Sequence, residues 1–379
     1  MLDRRTLISA AAAALALPRL ALAAAPTERR FIFIILRGAM DGIGTVIPYA
    51  DPAYAPARRQ LAETATAPAK IDGLFALHPA LAATAGLFAG KEALAIHAVA
   101  SPYRERSHFD GQNILETGGV AAYVHKDGWL QRLLAAIAAP PAAIAVAPTV
   151  PPILRGDRPV ASYAPSRLPD ASDDLIARVS QLYEADPLLH PLWGEALAAR
   201  ALAGDAGKGR QQLPELARIA ADFLASAEGP RIAVLEHDGW DTHAGQPARL
   251  ANQLRQLDAA LAALKLGLGN AWAQTVVVAA TEFGRTVAAN GTGGTDHGTA
   301  SAAFVVGGAV AGGRVVADWP GLKAADLSDG RDLRPTTDLY AVLLGILAAH
   351  FTLDPARLAR ALFPDHGGLR PVQGLLRTA

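Results

Sequence analysis

The run His237-Asp-Gly-Trp-Asp-Thr-His243 packs two imidazoles and two carboxylates, Asp238 and Asp241, into seven residues. Glu282 and Arg285 follow later in TEFGRT, and Asp296-His297 sits in the glycine-rich GGTDHGTA. Carboxylates mixed with imidazoles suit Zn²⁺, Mn²⁺ or Fe, whereas a purely carboxylate set suits Mg²⁺ or Ca²⁺. Asp238, Asp241, His243, Glu282, Asp296 and His297 are therefore candidate metal ligands. The plain alternative is a hydrogen-bonded loop network. Three such groups, each just beyond an apolar run, weigh against it. The spacing is not that of a helical HExxH zincin.

Two further places invite chemistry. Asp41 follows the apolar run Phe31–Leu36 in RGAMDGIG. It is either a ligand at a strand end or one half of an Asp-Gly turn. Neither a Walker loop nor a G-x-G-x-x-G fingerprint fits the glycines around it. Ser107, in RSHFDGQ, stands at the start of a helical run. A hydroxyl there is either an N-cap or a nucleophile in the positive field of the helix terminus. His108 and Arg104 or Arg106 beside it are anion binders or surface charges.

The elements that must position these residues are short buried strands. Phe31–Leu36, Ala93–Ala98, Ala142–Ala147, Ile232–Leu235, Val276–Ala280, Ala303–Val306 and Val315–Val316 read as such. Continuous apolar runs buried on both faces belong to parallel sheets, and open α/β sheets bind ligands beyond the carboxyl ends of their strands. His97, near the end of its strand, reads as a packed core histidine. Helices are expected at Ala80–Ala89, Gly128–Ala139, Ser172–Glu184, Leu188–Ala203, Pro214–Ser226 and Thr336–His350. The fold class is α/β, with a mostly parallel central sheet and helices on both faces. The block 171–227 reads as a helical insertion or cap, with a mobile turn at 203–210.

The amino terminus reads MLDRRTLISAAAAALALPRLALAAA. Paired Arg4–Arg5, a weakly apolar Ala-rich stretch and an Ala-x-Ala site predict a twin-arginine export signal over residues 1–23, cut after Ala23. Pro18 and Arg19 break the apolar run well short of the roughly 20 residues a membrane span needs. The mature chain, a single domain from 28 to 379, is thus expected in the periplasm or outside the cell, without stable membrane insertion. The chain has 35 basic and 35 acidic residues and no cysteine. Cleavage removes Arg4, Arg5, Arg19 and Asp3, leaving 32 basic against 34 acidic residues. No basic footprint points to nucleic acid, and neither a disulfide framework nor thiolate chemistry is available.

The motifs LRGAMDG, RSHFDGQ, HDGWDTHAGQ, TEFGRT and GGTDHGTA together resemble the exported bacterial family DUF1501, of unknown function. The layout also resembles the alkaline phosphatase-like superfamily of sulfatases, nucleotide pyrophosphatases and phosphomutases. That resemblance implies an acid after the first strand, at Asp41, although Arg37 stands where the acid often falls. It implies a nucleophile at Ser107, an acid and histidine at Asp241 and His243 with Asp238 in reserve, and a loop histidine at His297 beside Asp296. Where the superfamily has an Asp-His pair, this chain reads Glu282-Phe283, so a one-metal or degenerate site is implied. Arg37, Arg285 or His108 would hold the non-bridging oxygens of a phosphate or sulfate ester. The implied activity is metal-dependent hydrolysis of a small or polymeric ester, using Zn, Mn, Ca or Mg. The alternative is a non-catalytic member binding an envelope glycan or anion. The twin-arginine export machinery is the implied partner.

Overall fold

The structure, a computed structural model, describes residues 27–63, 67–137, 142–165, 173–203 and 212–377. The export segment and most of the turn 203–210 lie outside the described residues.

Nine strands form the central sheet: β1 (Arg30–Leu36), β5 (Ala93–Ala100), β6 (Ala143–Ala145), β7 (Ala161–Ser162), β8 (Ile232–His237), β9 (Thr275–Ala280), β10 (Ser301–Val306), β11 (Arg314–Val316) and β12 (Thr337–Asp338). Short β2 (Val46–Ile47), β3 (Ala69–Lys70) and β4 (Ala76–Leu77) make a separate small sheet. The large sheet runs β11-β5-β10-β9-β1-β8-β6-β7, with β12 beside β5. All pairings are parallel except the two made by β10.

Alternation within β1 builds the layers. Phe31, Phe33 and Ile35 face one core, with helices Trp129–Ala136, Leu339–Phe351 and Pro355–Leu362. Ile32, Ile34 and Leu36 face the other, with helices Ala82–Ala89, Leu213–Ala225 and Gln246–Leu268. Successive side chains of a strand point to opposite faces, so a strand covered on both sides reads as a continuous apolar run. The helix Leu213–Ala225 corrects the expected insertion. Its buried face, including Leu216, Ile219, Ala220 and Phe223, belongs to the second core. Within this block, the described helices Asp173–Tyr183 and Leu189–Ala203 contribute no residue to either core, and Leu182, Leu188 and Leu192 are exposed.

The reversed strand decides where the site forms. Chain leaving β9 in a parallel sheet would normally cross to the far edge through a helix. Because β10 is antiparallel to β9, residues 281–300 begin and end at the same edge. That edge also receives the loops after β1, β5 and β8. Among the described residues, no helix is long and apolar enough to cross a membrane.

Candidate metal centre

Four loops meet at this edge. His108 opens the helix after β5, Asp241 and His243 follow β8, and His297 lies before β10. Ligand atoms of His108, Asp241 and His297 all lie within 4.8 Å of one another. The Nε2 atoms of His108 and His243 each lie 3.0 Å from His297 Nε2. Asp241 Oδ1 is 3.0 Å from His243 Nε2 and 3.3 Å from His297 Nε2, and its Oδ2 is 3.5 Å from His108 Nε2.

The opposite nitrogen of each ring settles the tautomers. His108 Nδ1 faces Glu282 Oε1 at 2.8 Å, His243 Nδ1 faces Asp296 Oδ1 at 3.2 Å, and His297 Nδ1 faces the Arg106 carbonyl at 2.9 Å. Ionised carboxylates and carbonyls only accept, so each Nδ1 carries the proton and donates. In neutral rings the three Nε2 atoms are then bare lone pairs, turned towards one another and towards a carboxylate. Such an arrangement is repulsive unless a cation sits within it. Metal-bound histidines characteristically donate their second nitrogen to a carboxylate or carbonyl in this way. A tetrahedral ion with bonds of about 2.1 Å holds its ligand atoms about 3.4 Å apart, close to the spacing found here. A set of imidazoles and one carboxylate fits Zn²⁺, Mn²⁺ or Fe²⁺ better than Mg²⁺ or Ca²⁺.

The Glu282 hydrogen bond pushes the His108 imidazole up, whereas burial pulls His297 down. Burial opposes ionisation of Asp241, but the hydrogen bond and charge of Arg285 outweigh it and hold the carboxyl low. Glu282 is also held low: burial is outweighed by donors including His108, Thr281 and Gln112. Its carboxylate additionally accepts from the Gly38 amide at 2.9 Å. Gly38 has φ 115°, and a side chain there would meet the Asp241 amide at 2.6 Å, so only glycine lets these loops approach.

Several expected residues take other roles. Glu282 and Asp296 are not part of the compact ligand group; they orient His108 and His243. Asp238 is exposed, and only its carbonyl is engaged, by Gln253. Asp41 is fully committed elsewhere: both its oxygens accept from Arg58 at 2.7 Å, and Gln246 donates to Oδ2 at 2.6 Å. A buried chain continues from Gln246 through Thr295 to Arg285 and so to Asp241. Arg285 also donates to the Thr295 carbonyl and has a fully buried side chain. It therefore fixes Asp241 instead of reaching for substrate. Arg37 is paired with Glu116 and Glu236, which removes it as a free anion binder. Arg106 is tied to Asp332, and Arg104 to the carbonyls of Ser101 and Tyr103. Phe283 stacks on His108 with ring centres 5.0 Å apart and closes that side with an apolar wall. Ser107 occupies the N-cap position, yet its side chain makes no capping bond. Sequence reading missed Gln112, Asn290 and the Arg106 carbonyl, whose roles exist only in three dimensions.

The family model of the protein of unknown function DUF1501 matches residues 28–363, and the chain belongs to that family. No curated protein matches the sequence. Among solved structures, Ps i-CgsB in complex with k-i-k-neocarrahexaose is 12% identical, with TM-score 0.45 over 86% of this chain and 73% of that one. The phosphonate monoester hydrolase of Agrobacterium radiobacter is 12% identical, with TM-score 0.38 over 90% and 79%. The C-terminal periplasmic domain of EcEptC from Escherichia coli, in complex with Zn, is 10% identical, with TM-score 0.34 over 77% of each chain. Overlaps this loose assign no activity.

Proposed function

We propose that the protein is a metal-dependent hydrolase of phosphate or sulfate esters, working outside the cytoplasm after twin-arginine export. The observation that carries this reading is the convergence of three histidine Nε2 atoms on Asp241, each ring held by an acceptor at its Nδ1. His108, Asp241 and His297 would hold a single divalent ion, with His243 beside them. A divalent ion so held lowers the pKa of a neighbouring hydroxyl or water and offsets negative charge on the transferred group.

The chain supplies the rest. Glu282, Asp296 and the Arg106 carbonyl lock the imidazole tautomers. Arg285 holds Asp241 by Oδ1, leaving Oδ2 turned inward. Ser107, uncommitted as a cap, presents its hydroxyl at the amino end of the helix His108–Thr117, where partial positive charge favours an anionic oxygen. Its Oγ attacks phosphorus or sulfur, its proton passes to solvent, and the ester oxygen leaves as an alcohol after taking a proton from water. Hydrolysis of the resulting serine ester releases phosphate or sulfate. A non-catalytic anion- or glycan-binding protein is the rival reading, favoured by Phe283 where the superfamily resemblance calls for histidine.

Metal analysis with a screen of phosphate and sulfate esters separates the two. The proposed reading expects about one divalent ion per chain and turnover abolished by chelation. Metal without turnover on any ester supports the binding protein. Export is tested by Arg4→Lys with Arg5→Lys, which should leave precursor in the cytoplasm; normal export of that variant removes the twin-arginine assignment.

A further inference from the structure

Beside the metal centre the surface is unexpectedly apolar. Phe109 is 81% exposed and Tyr123 62%, with Val120 and Val124 exposed near them in sequence. Isolated exposed apolar residues are ordinary, but a cluster marks an interaction surface. Phe109 directly follows His108 in the first turn of its helix, so the patch adjoins the rim of the site.

Tyr123 is held there deliberately. Its backbone has φ 65°, in the left-handed region that a side-chain-bearing residue adopts only under constraint. Its amide donates to Asn113 Oδ1 at 2.7 Å. Its phenol lies by Asp110, and hydrogen bonding to that carboxylate pushes the phenol up. Asp110 and Asn113 are both on the helix His108–Thr117, and Asn113 lies one turn beyond Phe109 on the same helix face. The two aromatic rings thus flank one strip of helix surface that begins at the metal ligand His108.

The chemistry of the strip indicates its occupant. The rings stand out into solvent, where an alkyl chain laid across them would keep much of its contact with water. Polar groups, Asp110 and Asn113, are interleaved with the rings; Tyr123 engages Asn113 Oδ1 and the Asp110 carboxylate, so the Asn113 amide NH2 and the remaining acceptor capacity of Asp110 are what a ligand would meet. A flat aromatic face with hydrogen-bonding neighbours suits a molecule whose apolar CH face is bordered by hydroxyls. We propose that Phe109 and Tyr123 form a platform for the leaving group of the ester, and that this group is the pyranose ring of a carbohydrate. The proposal rests on the ester-hydrolase reading.

Metal content and ligand affinity of the purified protein test it together. Dissociation constants would be measured by calorimetry for glucose 6-sulfate and glucose 6-phosphate, for methyl sulfate and methyl phosphate, and for octyl sulfate. The platform predicts that at least one sugar ester binds about tenfold or more tightly than its methyl counterpart, and more tightly than octyl sulfate. Phe109→Ala and Tyr123→Gly should each abolish that preference with metal content unchanged. Tyr123→Gly removes the ring where glycine relieves the backbone, so its melting temperature should not fall. Equal affinity for sugar and methyl esters, or a sugar preference that survives both substitutions, overturns the platform alone. Tighter binding of octyl sulfate assigns the patch to alkyl chains and likewise overturns it. A wild-type protein that carries no metal and binds none overturns the ester-hydrolase reading and the platform with it.

Discussion

Asp41 and Asp241 both follow a buried parallel strand within a glycine-containing loop, and both face an arginine, yet they do opposite things. Asp41 is 1% exposed and so is Arg58; the pair satisfies both carboxylate oxygens, and Gln246 adds a third donor. Nothing is left over for a ligand. Asp241 is 40% exposed at its side chain, is anchored by Arg285 through one oxygen, and is surrounded by three imidazoles that turn Nε2 towards it. The first carboxylate is neutralised within the chain. The second is surrounded by groups whose chemistry suits a cation. Residue type and position after a strand are therefore weak guides to ligation; the state of the neighbours decides it.

Removing each acid should separate the two cases. Asp41→Ala leaves Arg58 buried and unpaired, and breaking such a pair costs about 3–5 kcal/mol. Asp241→Ala in chelated protein should cost only ~1–2 kcal/mol, since water can take the vacant place beside Arg285. Urea midpoints measure both. Equal losses at the two sites would undo the distinction between a structural and a functional carboxylate.

The next effect is on affinity. Glu282→Gln keeps an acceptor for His108 but removes the charge that fixes its tautomer, and loss of such a partner typically weakens metal binding 10–100-fold. Competition with a chromophoric chelator reads this directly. An unchanged affinity would show that Glu282 serves the fold alone.

Acid should expose a contrast between these polar sites and the core. Burial lowers His97, His237 and His350 to about 4. Their unfolded value is near 6.5, so the unfolded chain takes up protons first. Stability is then fully present above pH 6.5 and lost as pH falls towards 4, at up to ~1.4 kcal/mol per pH unit for each histidine. His108, raised by Glu282, works the other way: its contribution is present in acid and lost as pH rises through its folded value. Melting of chelated protein should therefore fall between pH 6.5 and 5. A flat profile over that interval contradicts the neutral, buried assignment.

The smallest effect belongs to Ser107. An N-cap serine is worth about 0.5–2 kcal/mol, but this one makes no capping bond. Ser107→Ala should cost less than about 0.5 kcal/mol of stability, while turnover falls by orders of magnitude. A larger loss of stability would return Ser107 to the role of cap.

Much of the scaffold was legible. The apolar runs at β1, β5, β8 and β9 were long enough and bounded sharply enough to read as buried strands, and the chemistry after β8 was dense. The reversed direction of β10 was not, because a six-residue apolar strand carries no sign of its polarity. That reversal keeps His297 at the same edge as His108. The fate of Asp41 was hidden for a similar reason: Arg58 lies in a Pro- and Ala-rich stretch outside every motif singled out above, yet its side chain is buried. Arg37 and Arg285 looked like anion binders because pairing partners distant in sequence leave no local mark.

Everything turns on whether a cation occupies the centre of the three imidazoles. Elemental analysis of the purified protein, before and after chelation, with melting followed on the same samples, is the most direct measurement. A cation at that centre means about one divalent ion per chain, a lower melting temperature on its removal, recovery on re-addition, and loss of the ion in His297→Ala and Asp241→Ala. Protein that carries no metal, and melts identically with and without chelator or added Zn²⁺ or Mn²⁺, would contradict it and leave a shared proton as the cation among these rings.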